Sequence, residues 1–288
     1  MLLQYNILER RTEMYNKRTN NLSFHKNKDI YYITFPSFDA SKLVRHCFTT
    51  RLGGVSKDSY QSLNLGFNTT DDEKNVNKNY ELLCEAVGIN HENLIFTNQI
   101  HETSIKIIRE DDLTKYNMNN RIKDTDGLVT NLPNVALITL YADCVPLFFL
   151  DTKKKVAGLA HAGWRGTVKK IALKMIEVFI NDFDSNPNDI LAAIGPSIGK
   201  CCFEVDSPVA EEFNKAFKNT NKIVYSKANN KFMINLWEAN KEALLEGGLL
   251  ASNITVTDLC TKCHKDIFFS YRGDKGQTGR LAAVMELI

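Results

Sequence analysis

The sequence predicts an α+β fold: a mixed β-sheet core with flanking helices in a single compact domain. Three observations carry that prediction. Apolar runs follow one another closely between Val135 and Ala160, three amphipathic helical stretches are spread along the chain, and no Pro/Gly/Ser-rich linker, low-complexity tract or repeat divides it.

Taken in order, residues 1–28 are rich in Arg, Asn and Lys without sustained periodicity and read as a loosely ordered leader, with the folded domain spanning 29–288. Leu94 to Phe96 is strand-like. Val135 to Tyr141, Val145 to Leu150 and Val156 to Ala160 form the densest apolar segment, broken around Asp143 and Pro146, and are the expected sheet core. Helices are expected over Glu73 to Ala86, Gly166 to Asn181 and Asn235 to Glu246. The second repeats apolar residues with a 3.6-residue period, and the third starts at a good N-cap and stops at Gly247-Gly248. Ile190 to Ile194 reads as a strand entering a tight loop, and Ile254 to Thr257, Ile267 to Tyr271 and Leu281 to Leu287 as the closing strands.

Composition excludes several classes. A hydrophobic share of 43% fits a globular chain rather than a disordered one. Lys+Arg 36 against Asp+Glu 34 argues against an extended nucleic-acid footprint but leaves room for a local anion pocket. No apolar run is long enough to span a bilayer, and Met1 to Ser23 lacks the order of a signal peptide, so a cytoplasmic, membrane-free protein is expected. Seven cysteines in such a chain favour reduced thiols over a disulfide framework.

His101, Cys144 and His161 all fall near the ends of expected strands, where side chains can converge at one rim of a sheet. Two His with one Cys suit a three-ligand zinc site with an open fourth position. Their separations match no local zinc-finger spacing, so a satisfied core or surface role for the histidines and a buried apolar role for Cys144 stay open. Asp143 beside Cys144 is a candidate proton shuttle. Gly163-Trp164-Arg165-Gly166 lies between strand and helix, making Arg165 and the helix start at Gly166 candidates for phosphate; Arg51 and Arg272 sit in two further glycine-bearing loops, Thr49 to Gly54 and Ser270 to Gly276, which read as solvated connections or as anion clamps. Gly195 to Lys200 fails as a P-loop, because its glycines are too close and Cys201 replaces Ser/Thr. Cys260-Thr261-Lys262-Cys263-His264 matches a haem-attachment pattern in an unfavourable context; structural thiols are preferred, with half of a zinc site shared with Cys201 and Cys202 as the alternative.

Together, Thr49 to Ser56, Asn64-Leu65-Gly66, Asn98 to His101, Ala142 to Pro146, His161 to Gly166, Gly195 to Asp206 and Phe268 to Arg280 form an ordered set. In this set the chain resembles the laccase-domain family of bacterial YfiH and YlmD proteins, regarded as purine nucleoside phosphorylases. The resemblance implies zinc on His101, Cys144 and His161, phosphorolysis of adenosine, inosine, guanosine and methylthioadenosine, and deamination of adenosine. Asp143 and Arg51 are then expected at the chemistry, with Arg165 and Gly166 on phosphate. Members often carry paired arginines where this chain reads Arg272-Gly273-Asp274. Rival readings of the same residues are a Cys–His hydrolase or deamidase with Cys144 as nucleophile, a copper oxidoreductase acting on phenols, and a non-enzymatic binding module.

Overall fold

The computed structural model describes residues 21–118 and 120–288. Its strands run in chain order as β1 (Ser23–Asn27), β2 (Ile30–Thr34), β3 (Val44–Thr49), β4 (Leu94–Phe96), β5 (Ile105–Ile107), β6 (Gly127–Thr130), β7 (Ala136–Tyr141) and β8 (Val145–Asp151). After these come β9 (Val156–Ala162), β10 (Ile190–Ile194), β11 (Glu204–Asp206), β12 (Val224–Lys227), β13 (Lys231–Ile234), β14 (Ile254–Val256) and β15 (Leu281–Leu287). The helices are α1 (Pro36–Ser41), α2 (Glu73–Val87), α3 (Glu110–Leu113), α4 (Trp164–Val168), α5 (Ile171–Phe183), α6 (Ser207–Ala216) and α7 (Leu236–Glu246).

Two six-stranded sheets, ordered β1-β2-β3-β15-β7-β4 and β14-β10-β8-β9-β6-β5, pack face to face, and a small sheet β11-β13-β12 lies beside them. Parallel and antiparallel pairs occur in both large sheets, giving the mixed core the sequence predicts. Side-chain alternation explains the layering. From β15, Leu281, Ala283 and Met285 enter the layer between the sheets, where Phe148, Leu150, Ala157 and Leu159 meet them. The intervening Ala282 and Val284 face the other way, against Tyr80, Leu83 and Cys84 of α2. On the outer face of the second sheet, Val145, Leu147 and Phe149 pack on Ile171, Met175 and Phe179 of α5.

The structure corrects three expectations and adds one helix. Ser23–Asn27, placed in the loose leader, is an edge strand paired with β2; residues 1–20 of that leader lie outside the described residues. The helix expected over Gly166 to Asn181 is split into α4 and α5 at Lys170, whose φ of 57° breaks the α-helical path although the apolar period runs through it. Ile267 to Tyr271 is not a strand but a chain of turns; its apolar character comes from Ile267, Phe268 and Phe269 all filling the inter-sheet layer, so burial here has no period of two. Helix α6 follows Pro208 at its first turn and was not read from the sequence.

Helix α7 matches its predicted start: the Asn235 side chain accepts the Glu238 N–H at 3.2 Å. No helix among the described residues is long and apolar enough to cross a membrane.

Candidate metal centre and active-site cleft

The three ligand candidates are gathered by the sandwich rim. On β9, His161 shares the parity of Ala157 and Leu159, so it points into the inter-sheet layer, with its ring 5.4 Å from that of Tyr141. Cys144 occupies the turn from β7 to β8, just after Asp143, which has a φ of 83°. His101 comes from the loop beyond β4 and also has a left-handed backbone, with φ 64°. The Gln99 side chain pins that loop, donating to the Leu140 carbonyl at 2.9 Å and accepting the Leu140 N–H at 2.7 Å.

The ligand atoms of His101, Cys144 and His161 lie within 4.8 Å of one another. Asp126, at the start of β6, organises two of them. Its Oδ1 accepts the His101 N–H at 3.0 Å and meets His161 Nδ1 at 2.8 Å, and its Oδ2 accepts the N–H groups of Ile100 and Glu102 at 3.2 and 2.9 Å. This carboxylate holds a proton on His161 Nδ1 and leaves Nε2 for the cluster, the arrangement that orients a metal-ligating imidazole.

Burial alone would push the Cys144 thiol up, but the facing His161 and His101 imidazoles outweigh it and bring it down to about 6. Burial would lower His161; Cys144 and Asp126 outweigh that and raise it to about 9. Gly163 completes the cradle, because a Cβ there would come within 2.8 Å of His101 Cδ2 and 3.3 Å of Cys144 Sγ. Two imidazoles and a thiolate-prone cysteine, with His101 exposed and His161 buried, fit a divalent metal whose remaining position faces the solvent side.

That side is a cleft of about 750 Å³. Arg121, Arg272 and Arg280 line it, together with Phe203, Tyr271 and Ile100. Asp143 lines it too, but its carboxylate is already engaged: Oδ1 accepts from Thr261 Oγ1 and Oδ2 from the Arg272 backbone N–H, both at 2.6 Å. It therefore ties the Cys144 turn to the segment carrying Arg272.

Three other sequence candidates do not reach the cleft lining. Arg51 donates to the carbonyls of Gln61 and Lys265 at 2.8 and 2.9 Å and lies over the Phe269 ring, as a tie between loops. Arg165 is exposed and stacks on Trp164. Gly166 is buried against the Glu102 carbonyl, in a helix of only five residues.

Of the cleft cations, Arg272 stands in a glycine-bearing loop, Ser270 to Gly276, where the sequence already allows an arginine to clamp an anion, and the structure puts it on the cleft. Arg121 and Asp126 carry no sequence signal that sets them apart from solvated polar residues. At Gly273 a Cβ would meet Lys265 Cδ at 2.6 Å. The Lys265 ammonium donates to the Gly273 carbonyl and Asp274 Oδ1 at 3.3 and 3.0 Å.

Comparison with known proteins agrees with this architecture. Residues 45–288 match the model of a family described as multi-copper polyphenol oxidoreductase laccase. The purine nucleoside phosphorylase YlmD of Bacillus subtilis is 37% identical over 236 residues, covering 81% of this chain and 85% of that protein. A purine nucleoside phosphorylase of Bacteroides thetaiotaomicron is 32% identical over 257 residues, covering 88% and 95%. Among solved structures, YlmD of Geobacillus stearothermophilus superposes with a TM-score of 0.85 at 32% identity, covering 92% of this chain and 98% of that one.

Proposed function

Since the chain belongs to the multi-copper polyphenol oxidoreductase laccase family, many of whose curated members are named for nucleoside phosphorolysis, we propose that it is a zinc-dependent purine nucleoside phosphorylase that also deaminates adenosine. The observation that carries this reading is the His101–Cys144–His161 cluster on the wall of an arginine-lined cleft. Adenosine, inosine, guanosine and methylthioadenosine are its expected substrates, with inorganic phosphate as co-substrate.

His101, Cys144 and His161 would hold the zinc ion, which supplies Lewis acidity at the cleft wall when bound. Arg121, Arg272 and Arg280 supply the positive charge that draws phosphate in and holds it against the ribose. Phe203 and Tyr271 offer aromatic faces for the purine. A phosphate oxygen forms a bond to C1′ as the C1′–N9 bond breaks, and the purine leaves with the electron pair and takes up a proton. The products are the free base and ribose 1-phosphate, or 5-methylthioribose 1-phosphate from methylthioadenosine.

The test is product identification from adenosine with and without phosphate, on protein of measured metal content. Adenine plus ribose 1-phosphate appearing only with phosphate supports phosphorolysis, and inosine plus ammonia independent of phosphate supports deamination. Turnover by protein free of metal would remove the zinc reading.

One observation favours a second reading. Cys144, His161 and Asp126 stand in the order nucleophile, base and orienting carboxylate, with the thiol already lowered to about 6. A Cys–His hydrolase would use that thiolate directly, and stoichiometric zinc bound through Cys144 would rule it out. Copper oxidation is disfavoured: of six histidines, only His101 and His161 join the cluster, far short of a multinuclear copper centre.

A further inference from the structure

We propose that Cys201, Cys202, Cys260 and Cys263 form a second, structural metal site that binds one zinc ion through four sulfurs and clips together the two segments of the cleft wall.

Their sulfurs lie within 4.8 Å of one another, and all four cysteines are free. Cys201 Sγ and Cys202 Sγ each stand 3.5 Å from Cys263 Sγ. That is far beyond the roughly 2.0 Å of a disulfide. It is close to the roughly 3.8 Å edge of a sulfur tetrahedron built on Zn–S bonds of about 2.3 Å.

The chain prepares the site before any ion arrives. Cys260-Thr261-Lys262-Cys263 is one tight turn, closed by the His264 N–H donating to the Cys260 carbonyl at 3.1 Å. Cys201 and Cys202 sit in a second turn, where the Cys202 N–H donates to the Gly199 carbonyl at 2.9 Å. The two turns are held together by backbone: the Ser197 N–H donates to Leu259 O at 3.2 Å and the Thr261 N–H to Ser197 O at 3.0 Å. The Gly199 N–H points at Cys260 Sγ from 3.2 Å, a donor that stabilises thiolate sulfur.

Burial opposes ionisation of Cys260, yet the Gly199 and Cys263 N–H groups outweigh it, while Cys201 and Cys202 are pushed up by burial and by their crowded neighbours. A closed four-sulfur set leaves no position for a reactant, which distinguishes it from the three-ligand cluster in the cleft.

The location gives the clip its purpose. Phe203 follows Cys202 directly and lines the cleft, and Arg272, on the segment after Cys263, lies over the Phe203 ring at 5.4 Å. The Arg272 guanidinium also donates to the Glu204 carbonyl at 2.9 Å. Joining the two turns holds the wall that presents Arg272. Thr261, inside the Cys-x-x-Cys turn, reaches Asp143 beside Cys144.

Native mass spectrometry of zinc-grown protein tests the site. Cys144→Ser combined with His161→Ala should retain one zinc per chain, and adding Cys201→Ser and Cys263→Ser should leave none. Loss of the cleft metal would not touch the first result, so the two sites fail separately. As a measurement on the unmutated chain, Cys201 and Cys263, both exposed, should resist alkylation until a strong chelator is added. A zinc-free Cys144→Ser/His161→Ala protein, a chain mass two hydrogens lower from a disulfide, or Cys201 and Cys263 alkylated at the same rate with and without chelator would each overturn the proposal.

Discussion

Replacing Asp126 by Asn removes the carboxylate that holds the metal-ligating loop while keeping its shape. The aspartate accepts three backbone N–H groups and meets His161 Nδ1, two partners on each oxygen. An amide has one oxygen, so in either orientation its NH₂ faces two donors. With NH₂ toward Oδ2's partners, Ile100 and Glu102 lose their acceptor; with it toward Oδ1's, the His101 N–H does, and His161 is driven to the tautomer that protonates Nε2. Hydrogen bonds to a charged group contribute about 1.5–3 kcal/mol each. Two lost bonds therefore cost about 3–6 kcal/mol, shared between the fold and the ligand geometry. Loss of an orienting partner commonly weakens metal binding about 10–100-fold, or about 1.4–2.8 kcal/mol of that total. Competition against a chromogenic chelator measures zinc affinity, and melting curves with and without zinc measure the remainder. An Asn variant that binds zinc as tightly as the unmutated chain would refute the assignment of Asp126 as the group that orients the cluster.

Gly163→Ala forces a Cβ to within 2.8 Å of the His101 ring; overpacking of this kind costs about 1–3 kcal/mol, so zinc affinity should fall about 5–150-fold, and chelator competition showing no change would mean the ring is free to move. Arg272→Ala should raise the KM for phosphate about tenfold or more, whereas Arg165→Ala should leave it within about twofold, because only the first lines the cleft; steady-state kinetics in phosphate decide it. Arg51→Ala should lower the melting temperature by loosening the Gln61 and Lys265 loops, with phosphate KM little changed. His46 is buried, accepts the Phe35 N–H through Nε2 at 2.8 Å, and is lowered to about 3 by burial and then by the charge of His25. Its folded pKa lies below the unfolded value, so the unfolded chain binds more protons and stability falls as pH drops below about 6.5, by about 2 kcal/mol at pH 5. His46→Gln keeps an acceptor and should flatten that part of the acid unfolding curve; an unchanged curve would exclude His46 as its source.

Local pattern made much of the fold legible. Leu281 to Leu287 and Ile190 to Ile194 were read to the residue, and the β7–β8–β9 run to within one or two residues, because continuous apolar runs bounded by polar breaks are what buried strands require. Where reading failed, burial and period had parted. Ile267, Phe268 and Phe269 are apolar for the sake of a layer they fill from a turn, and Lys170 breaks a helix in the middle of an unbroken apolar period.

The sequence by itself determined the central buried strands, the starts of α2 and α7 and the residue types from which a metal centre can be made; the family motifs singled out His101, Cys144 and His161. Tertiary structure decided which groups meet. Arg51, Arg165 and Arg272 all stand within two residues of a glycine in the sequence, and only strand order and the crossing of the 197–203 and 260–273 segments put Arg272 on the cleft and the other two elsewhere. The same crossing brings four cysteines from two distant turns to one point, and the pairing of β6 with β9 sets Asp126 beside His161 and under the His101 loop. Periodicity reports which face of an element is buried; contact between loops far apart in sequence depends on how the sheets pack, and no local pattern encodes that.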